Sequence, residues 1–345
     1  MLRSSLTEGS IDEYLQHRLD GDRCTSFQTA DELWPVFESV EHGFGSRSWS
    51  TFPYESGTLY SRNILDCIRL LLSHLPFADH MVFGPERLFD RTGRRVYNEI
   101  YTADWWWETQ DLVPRGGTVV PLLLASDTTH LTNFSRDKAA WPVSMSISNI
   151  SKALRWQGTK RAWVLGALLL IPPKKPKDGE INISWHGAIE RILEPIVELD
   201  IAGPGYEWDC ANGQVRRCYP ILAAWIADYQ EHVILVRIIK GLCPVCEILR
   251  TEMGHEPNSR VRGFRDRDPI SYQQALERAN PEDAKYLSSI GLQAEENPFW
   301  RVTLCNVYSL WQPDTLHLLH LGILKTMIDW LVGYLQKRKI LDRFN

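Results

Sequence analysis

Three things are scarce in this 345-residue chain: excess positive charge, clustered cysteine and long apolar runs. Lys and Arg number 38 against 43 Asp and Glu, a formal net charge of −5. No global positive field draws such a chain to nucleic acid, so any grip on phosphate must come from local basic patches. The longest apolar run, residues 162–171, stops at Pro172-Pro173. A bilayer-crossing helix needs roughly 20 apolar residues, so no membrane association is expected. The opening MLRSSLTEGS has no apolar stretch of the kind a secretion signal carries. The seven cysteines are odd in number and scattered apart from one pair, which points to reduced thiols and a metal site rather than a disulfide framework. What is abundant excludes disorder. Hydrophobic residues make up 44% of the chain and tryptophan occurs 14 times, enough apolar area to fold around.

Residues 1–58 are polar and turn-rich and are expected to be partly flexible. Residues 59–75 predict a helix, with Leu65, Ile68, Leu71 and Leu72 at three- and four-residue spacing before Pro76. An aromatic, acidic stretch with Trp105-Trp106-Trp107 leads to the turn Pro114-Arg115-Gly116-Gly117. Residues 59–115 thus form a mainly helical, aromatic subdomain, and the turn opens a new unit.

In that unit, residues 118–126 read as a buried strand ending in Asp127. Residues 142–148 alternate Val143, Met145 and Ile147 against serines, a half-buried strand, and residues 163–171 form a third apolar run. Residues 184–200 predict an amphipathic helix interrupted by Pro195. Residues 215–227 form another buried strand ending in Asp228, and a helix over 231–240 follows. The order strand, strand, strand, helix, strand, helix is that of a ribonuclease-H-like fold. The expected class is therefore α/β (α+β overall), a mixed sheet flanked by helices, with its core over 116–241.

In that fold the first and fourth strands are neighbours, which would bring Asp127 and Asp228 within a few ångströms. Two carboxylates so close repel unless a metal lies between them or they share a proton. Hard oxygen donors suit Mg2+ or Mn2+, and the pair would then serve two-metal phosphoryl transfer. The plainer alternative is that Asp begins turns and caps helices, as Asp228 could before its helix.

Cys243-Pro244-Val245-Cys246 is half of a zinc site by spacing, and His317 and His320 are its candidate partners. The alternative is a pair of reduced core cysteines and solvent-facing histidines. Residues 242–345 are otherwise helical in pattern. Lys152, Arg155, Lys160 and Arg161 form a basic cluster without an acid, and Lys174 and Lys175 begin a second. Both could hold phosphate backbone or simply be solvated faces. The tryptophan run could stack bases, though a packed junction explains it equally.

The runs ADWWWETQDLVP, VVPLLLASDTTHLTNFSRDKAAWPVSMSISNISK, YPILAAWIADYQEH, CPVC and PDTLHLLHLGILK, taken in order, resemble the Plavaka transposases. These are fungal DNA transposases of the Kyakuja–Dileera–Zisupton type, allied to the CACTA-like group. The resemblance covers roughly residues 60–335. It implies metal-dependent cleavage of transposable-element DNA and strand transfer, that is, DNA recombination in the nucleus. The implied partners are transposon ends and target DNA, with a homodimer as the expected assembly. Asp127 matches the first catalytic aspartate and Asp228 the second. Cys243 and Cys246 match the group's C-x2-C motif, and Asp314 with His317 matches its acid-x-x-His motif. Structural Zn2+ on the cysteines and His317 follows from the resemblance, with His320 a further candidate. The family pattern continues through a helical insertion to a third acid, for which Asp314 is the candidate in this chain. The resemblance also implies an N-terminal zinc finger, which residues 1–58 lack. An inactive, zinc-stabilised DNA- or protein-binding remnant is the alternative expectation.

Overall fold

The computed structural model describes residues 49–54, 57–130, 139–171, 178–197, 199–248, 250–252, 265–278, 280–293, 295–310 and 315–338. The chain divides into two compact units, 1–50 and 51–345, and the described residues lie almost wholly in the second. Asp314, Lys174 and Lys175 lie outside the described residues.

The second unit is built on one mixed sheet. Its strands are β1 (Ser50–Tyr54), β2 (Gly57–Ser61), β5 (Thr118–Ser126), β6 (Thr129–His130), β7 (Ala139–Ile147), β8 (Val164–Ile171), β9 (Tyr206–Asp209) and β10 (Val215–Ile226), while β3 (Leu88–Phe89) and β4 (Arg95–Val96) form a separate ribbon. The order is β1-β2-β8-β7-β5-β10-β9, with β6 paired to β7. Pairing is antiparallel between β5 and β7 and between β7 and β8, and parallel between β5 and β10. The TVVPLLLAS strand is apolar almost throughout because it lies centrally, covered on both faces.

Alternation along β5 separates two cores. Val120, Leu122 and Leu124 join Trp141, Val143 and Met145 of β7. Over this face pack α1 (Ile64–Ser73) and α4 (Asp178–Val197), the latter stacking Trp185 on Trp141 at 4.7 Å. Val119, Tyr219 and Ile221 face the other way, against Trp106 of α2 (Asp104–Leu112). The middle member of the tryptophan run is therefore packing, with no exposed area.

The expected helix over 59–75 divides in two. Leu59 lies in β2, fully buried and paired with Leu169, and the helix begins only after Asn63. The Asn63 carboxamide oxygen accepts from the amides of Leu65 and Asp66, a cap that fixes the boundary. Short α3 (Lys152–Arg155) precedes β8. The helix expected at 231–240 is α5 (Tyr229–Leu235), shorter at its C-terminal end. Arg237 adopts a left-handed φ of 55°, with its amide on Ile234 O and that of Ile238 on Val233 O. This is the paired bonding of a Schellman stop, and it ends the helix where periodicity alone would continue it.

Beyond lie α6 (Pro269–Arg278) and α7 (Pro281–Ser289), whose region adds Tyr272, Leu287, Phe299 and Tyr308 to the main core. A wide π-type helical turn, Thr315–Leu324, runs into α8 (Lys325–Lys337). Its large apolar side chains, from Leu316 to Tyr334, are mostly exposed, Trp330 at 74%. Among the described residues no helix is long and apolar enough to cross a membrane.

Candidate functional site

The two aspartates flagged by sequence follow the ends of neighbouring parallel strands, Asp127 one residue past β5 and Asp228 two past β10. From Cys218–Thr118 to Leu222–Leu122 the parallel β10–β5 register is uniform, then it shifts by one residue, so that Ala224 pairs with Leu123 and Ile226 with Ala125. Continued two residues further, past the last recorded pair, this register would set Asp228 opposite Asp127. Without the extra residue, Ala227 would stand there. Bulges of this kind re-aim side chains next to active sites.

Asp127 is exposed in the short link between β5 and β6. Asp228 is half-buried and caps α5, its Oδ1 accepting the Glu231 amide at 2.7 Å. The capping role anticipated for Asp228 and the carboxylate pairing are thus compatible.

A third acid, which sequence reasoning missed, bonds Asp228 and both chain neighbours of Asp127. Glu231 is 4% exposed. Its Oε2 accepts from Ser126 Oγ at 2.6 Å and its Oε1 from Thr128 Oγ1 at 3.1 Å. Ser126 Oγ in turn accepts from Trp225 Nε1 at 2.9 Å. Burial pushes the Glu231 carboxyl up to about 7. The two hydroxyl donors oppose that rise, and the charges of Asp228 and Asp127 add to it. The sequence held one signal, the D-x-x-E spacing of Asp228 and Glu231, but that spacing is also the signature of a helix-capping box. Next along α5, His232 is 1% exposed, and burial pushes its imidazole down to about 3, which keeps it neutral. His130 lies in β6, next to the acid-bearing link.

Cys243 and Cys246 are half-buried free thiols just past Gly241, whose φ of 92° turns the chain. The Val245 amide donates to Cys243 Sγ at 3.4 Å. Burial raises the Cys246 thiol, as does the neighbouring Cys243, while the Ile248 amide lowers it. Arg267, 2% exposed, braces the turn: Nε donates to Cys243 O, its amide to Val245 O and Nη2 to Ile290 O. Tyr229 of α5 bonds both Gly241 N and Leu242 O, coupling the cysteine turn to the helix that Asp228 caps. His317 and His320 are exposed on the π-type turn. Among the described residues no three His, Cys, Asp or Glu side chains gather into a metal-holding group. The cysteine pair and the two histidines are therefore not brought together as one ligand set.

The basic cluster divides by burial. Arg155 bonds Ile150 O and lies 3.7 Å from Glu99, both side chains being about nine-tenths buried. Lys152 reaches Asn98 O at 2.9 Å. Lys160 and Arg161 are exposed on a tight turn, Arg161 with φ 54°.

No curated protein matches the chain. The family profile described as Plavaka transposase matches residues 26–331, a span that includes the β5–β10 sheet core, Asp127, Asp228, Glu231, the cysteine turn and both histidines. The chain belongs to the Plavaka transposase family.

Proposed function

We propose that this chain carries the catalytic core of a DNA transposase, with Asp127 and Asp228 as paired carboxylates for Mg2+ or Mn2+ in DNA strand cleavage and transfer. The observation that carries the reading is that the two acids follow the ends of adjacent parallel strands, whose shifted register, if continued, would set them opposite each other. The strand order β8-β7-β5-β10 supports it, being the 3-2-1-4 order of a ribonuclease-H-like sheet. Carboxylate oxygens are the donor type a hard divalent cation takes, and the two aspartates would have to draw together to hold it, since among the described residues no three-ligand group is assembled. When bound, such an ion lowers the pKa of an attacking water or 3′-hydroxyl and stabilises the leaving oxygen of the phosphodiester. Asp127, exposed just past the end of β5, would be open to DNA. Asp228, its carboxylate held by the Glu231 amide, presents from a fixed direction.

Lys160 and Arg161 are the described members of the basic cluster that face solvent, and they would contact DNA backbone, joined by Lys174 and Lys175. Cys243 and Cys246 would give two thiolates to a structural Zn2+, which His317 or His320 would complete only by moving to the cysteine turn. Asp314 remains the candidate third acid of the family pattern. The nucleus is the site of action this reading requires, and a homodimer would pair two transposon ends.

A second reading is a non-catalytic, zinc-stabilised DNA- or protein-binding remnant. Its non-catalytic part is favoured by the finding that, among the described residues, no group of three metal-ligand side chains is assembled, which leaves its zinc part equally without an assembled ligand set. Nicking of supercoiled DNA with Mn2+ decides between them. The catalytic reading expects cleavage that Asp127→Ala and Asp228→Ala each reduce by at least about a hundredfold, the scale of losing a metal-bound carboxylate. Equal cleavage by wild type and both variants refutes it.

A further inference from the structure

We infer that Glu231 is a positioning residue that holds the Asp127 segment against Asp228 by hydrogen-bonding both chain neighbours of Asp127. The inference rests on the proposed metal-site reading for its functional meaning. Its structural basis stands apart from that reading.

Asp127 lies beyond the last β5–β10 pair, Ala125 with Ile226. That ladder therefore stops short of it, and its position depends on what grips its neighbours. Ser126 on one side and Thr128 on the other both donate to the Glu231 carboxylate. The same residue's backbone amide donates to Asp228 Oδ1. One residue thereby contacts both acid-bearing segments, by side chain on β5 and by main chain on α5.

The direction of the side chain argues against a merely local cap. Glu231 is the third residue of α5, the place from which a capping-box glutamate reaches back to the amide of its own cap residue. Here the carboxylate crosses to another strand, 105 residues away in sequence. The donors are also arranged as a chain: Trp225 Nε1 donates to Ser126 Oγ, which donates to Glu231. Trp225 is fixed edge-on to Phe299 at 5.3 Å, and it is 1% exposed. The indole thus orients the hydroxyl, and the hydroxyl orients the carboxylate. Partners of this kind, one step removed from a metal, hold ligating groups in place, and their loss costs about 10–100-fold in metal affinity.

Glu231→Gln keeps an acceptor for Ser126 and can pair its amide with Thr128, whereas Glu231→Ala removes both bonds. Hydrogen–deuterium exchange of the peptide covering 123–130 reads the grip without metal. Faster exchange there in Glu231→Ala, with the 139–147 strand unchanged and Glu231→Gln near wild type, is expected. Titration of Mn2+, followed by its electron paramagnetic resonance signal, reads the consequence. Affinity should fall at least about tenfold in Glu231→Ala and recover in Glu231→Gln. If Glu231→Ala does not fold, Ser126→Ala with Thr128→Val removes the donors while retaining the acid, and the same loosening is expected. Unchanged exchange at 123–130 when the bonds are removed overturns the inference. So does Mn2+ affinity that is insensitive to Glu231 but lost in Asp127→Ala. Wild-type protein that binds no Mn2+ while the exchange result holds overturns the metal-site reading and leaves the grip standing.

Discussion

Raising the pH should destabilise the metal-free protein through a single side chain, Glu231. Its carboxyl is pushed up to about 7 from the ordinary 4.5, chiefly by burial. A group whose folded-state pKa lies above its unfolded value favours the fold while protonated, and that advantage is lost as pH rises through the folded value. The window therefore opens near pH 4.5, where the unfolded carboxyl ionises, and closes just above pH 7. Each pKa unit corresponds to 1.36 kcal/mol, so the full displacement amounts to on the order of 3 kcal/mol. Glu231→Gln cannot ionise and should lack this component. Urea unfolding of both proteins in EDTA, at half-unit steps from pH 4.5 to 8, isolates it, because every other titration is shared to first order. The stability difference should move by on the order of 3 kcal/mol in favour of Glu231→Gln across the window. A difference that stays flat, or that moves toward wild type as pH rises, would show that Glu231 does not titrate as its burial dictates.

Two smaller perturbations test other joints. Trp225→Phe deletes the indole donor to Ser126 and leaves a small gap against Phe299. Chemical denaturation should show a loss of about 1–3 kcal/mol from the lost hydrogen bond and the cavity together. Asn63→Ala removes the cap that separates β2 from α1. A loss of about 1 kcal/mol is expected, and a stability equal to wild type would show that the helix boundary is set elsewhere.

Much of the sheet was legible because its strands carry their own pattern. β5 is an apolar run bounded by Gly-Gly and Asp, and its expected and observed limits coincide at residues 118 and 126. β7 and β10 were found within a few residues. The errors have physical causes. Leu59 satisfies a helical period and a strand period equally, and only the pairing with Leu169 decides between them. The end of α5 depends on Arg237 entering the left-handed region, which a non-glycine residue does not announce. The two aspartates were visible as strand-end acids, but the one-residue bulge that shifts the register leading up to them was not, because the strand is otherwise a continuous apolar run. Glu231 was hidden for a similar reason: its hydrogen-bond partners are more than a hundred residues away in sequence. Among the basic residues, composition could not separate Arg155, committed to Glu99 and Ile150, from exposed Arg161.

The parallel pairing of β5 with β10 also governs when the site can come into being. Contacts between residues so distant in sequence form late, because loop closure must precede any gain from them. The segments that supply Asp127 and Asp228 are joined by this ladder and by hydrogen bonds of Ser126 and Thr128 with Glu231 and of Trp225 with Ser126, 99 to 105 residues apart. During synthesis the Asp127 strand must therefore wait for nearly a hundred residues, including β7, β8 and α4, before its partner leaves the ribosome. Any partly folded chain, or any fragment cut between β8 and β10, presents one acid without the other. The two acid-bearing segments therefore come together only when the domain is finished.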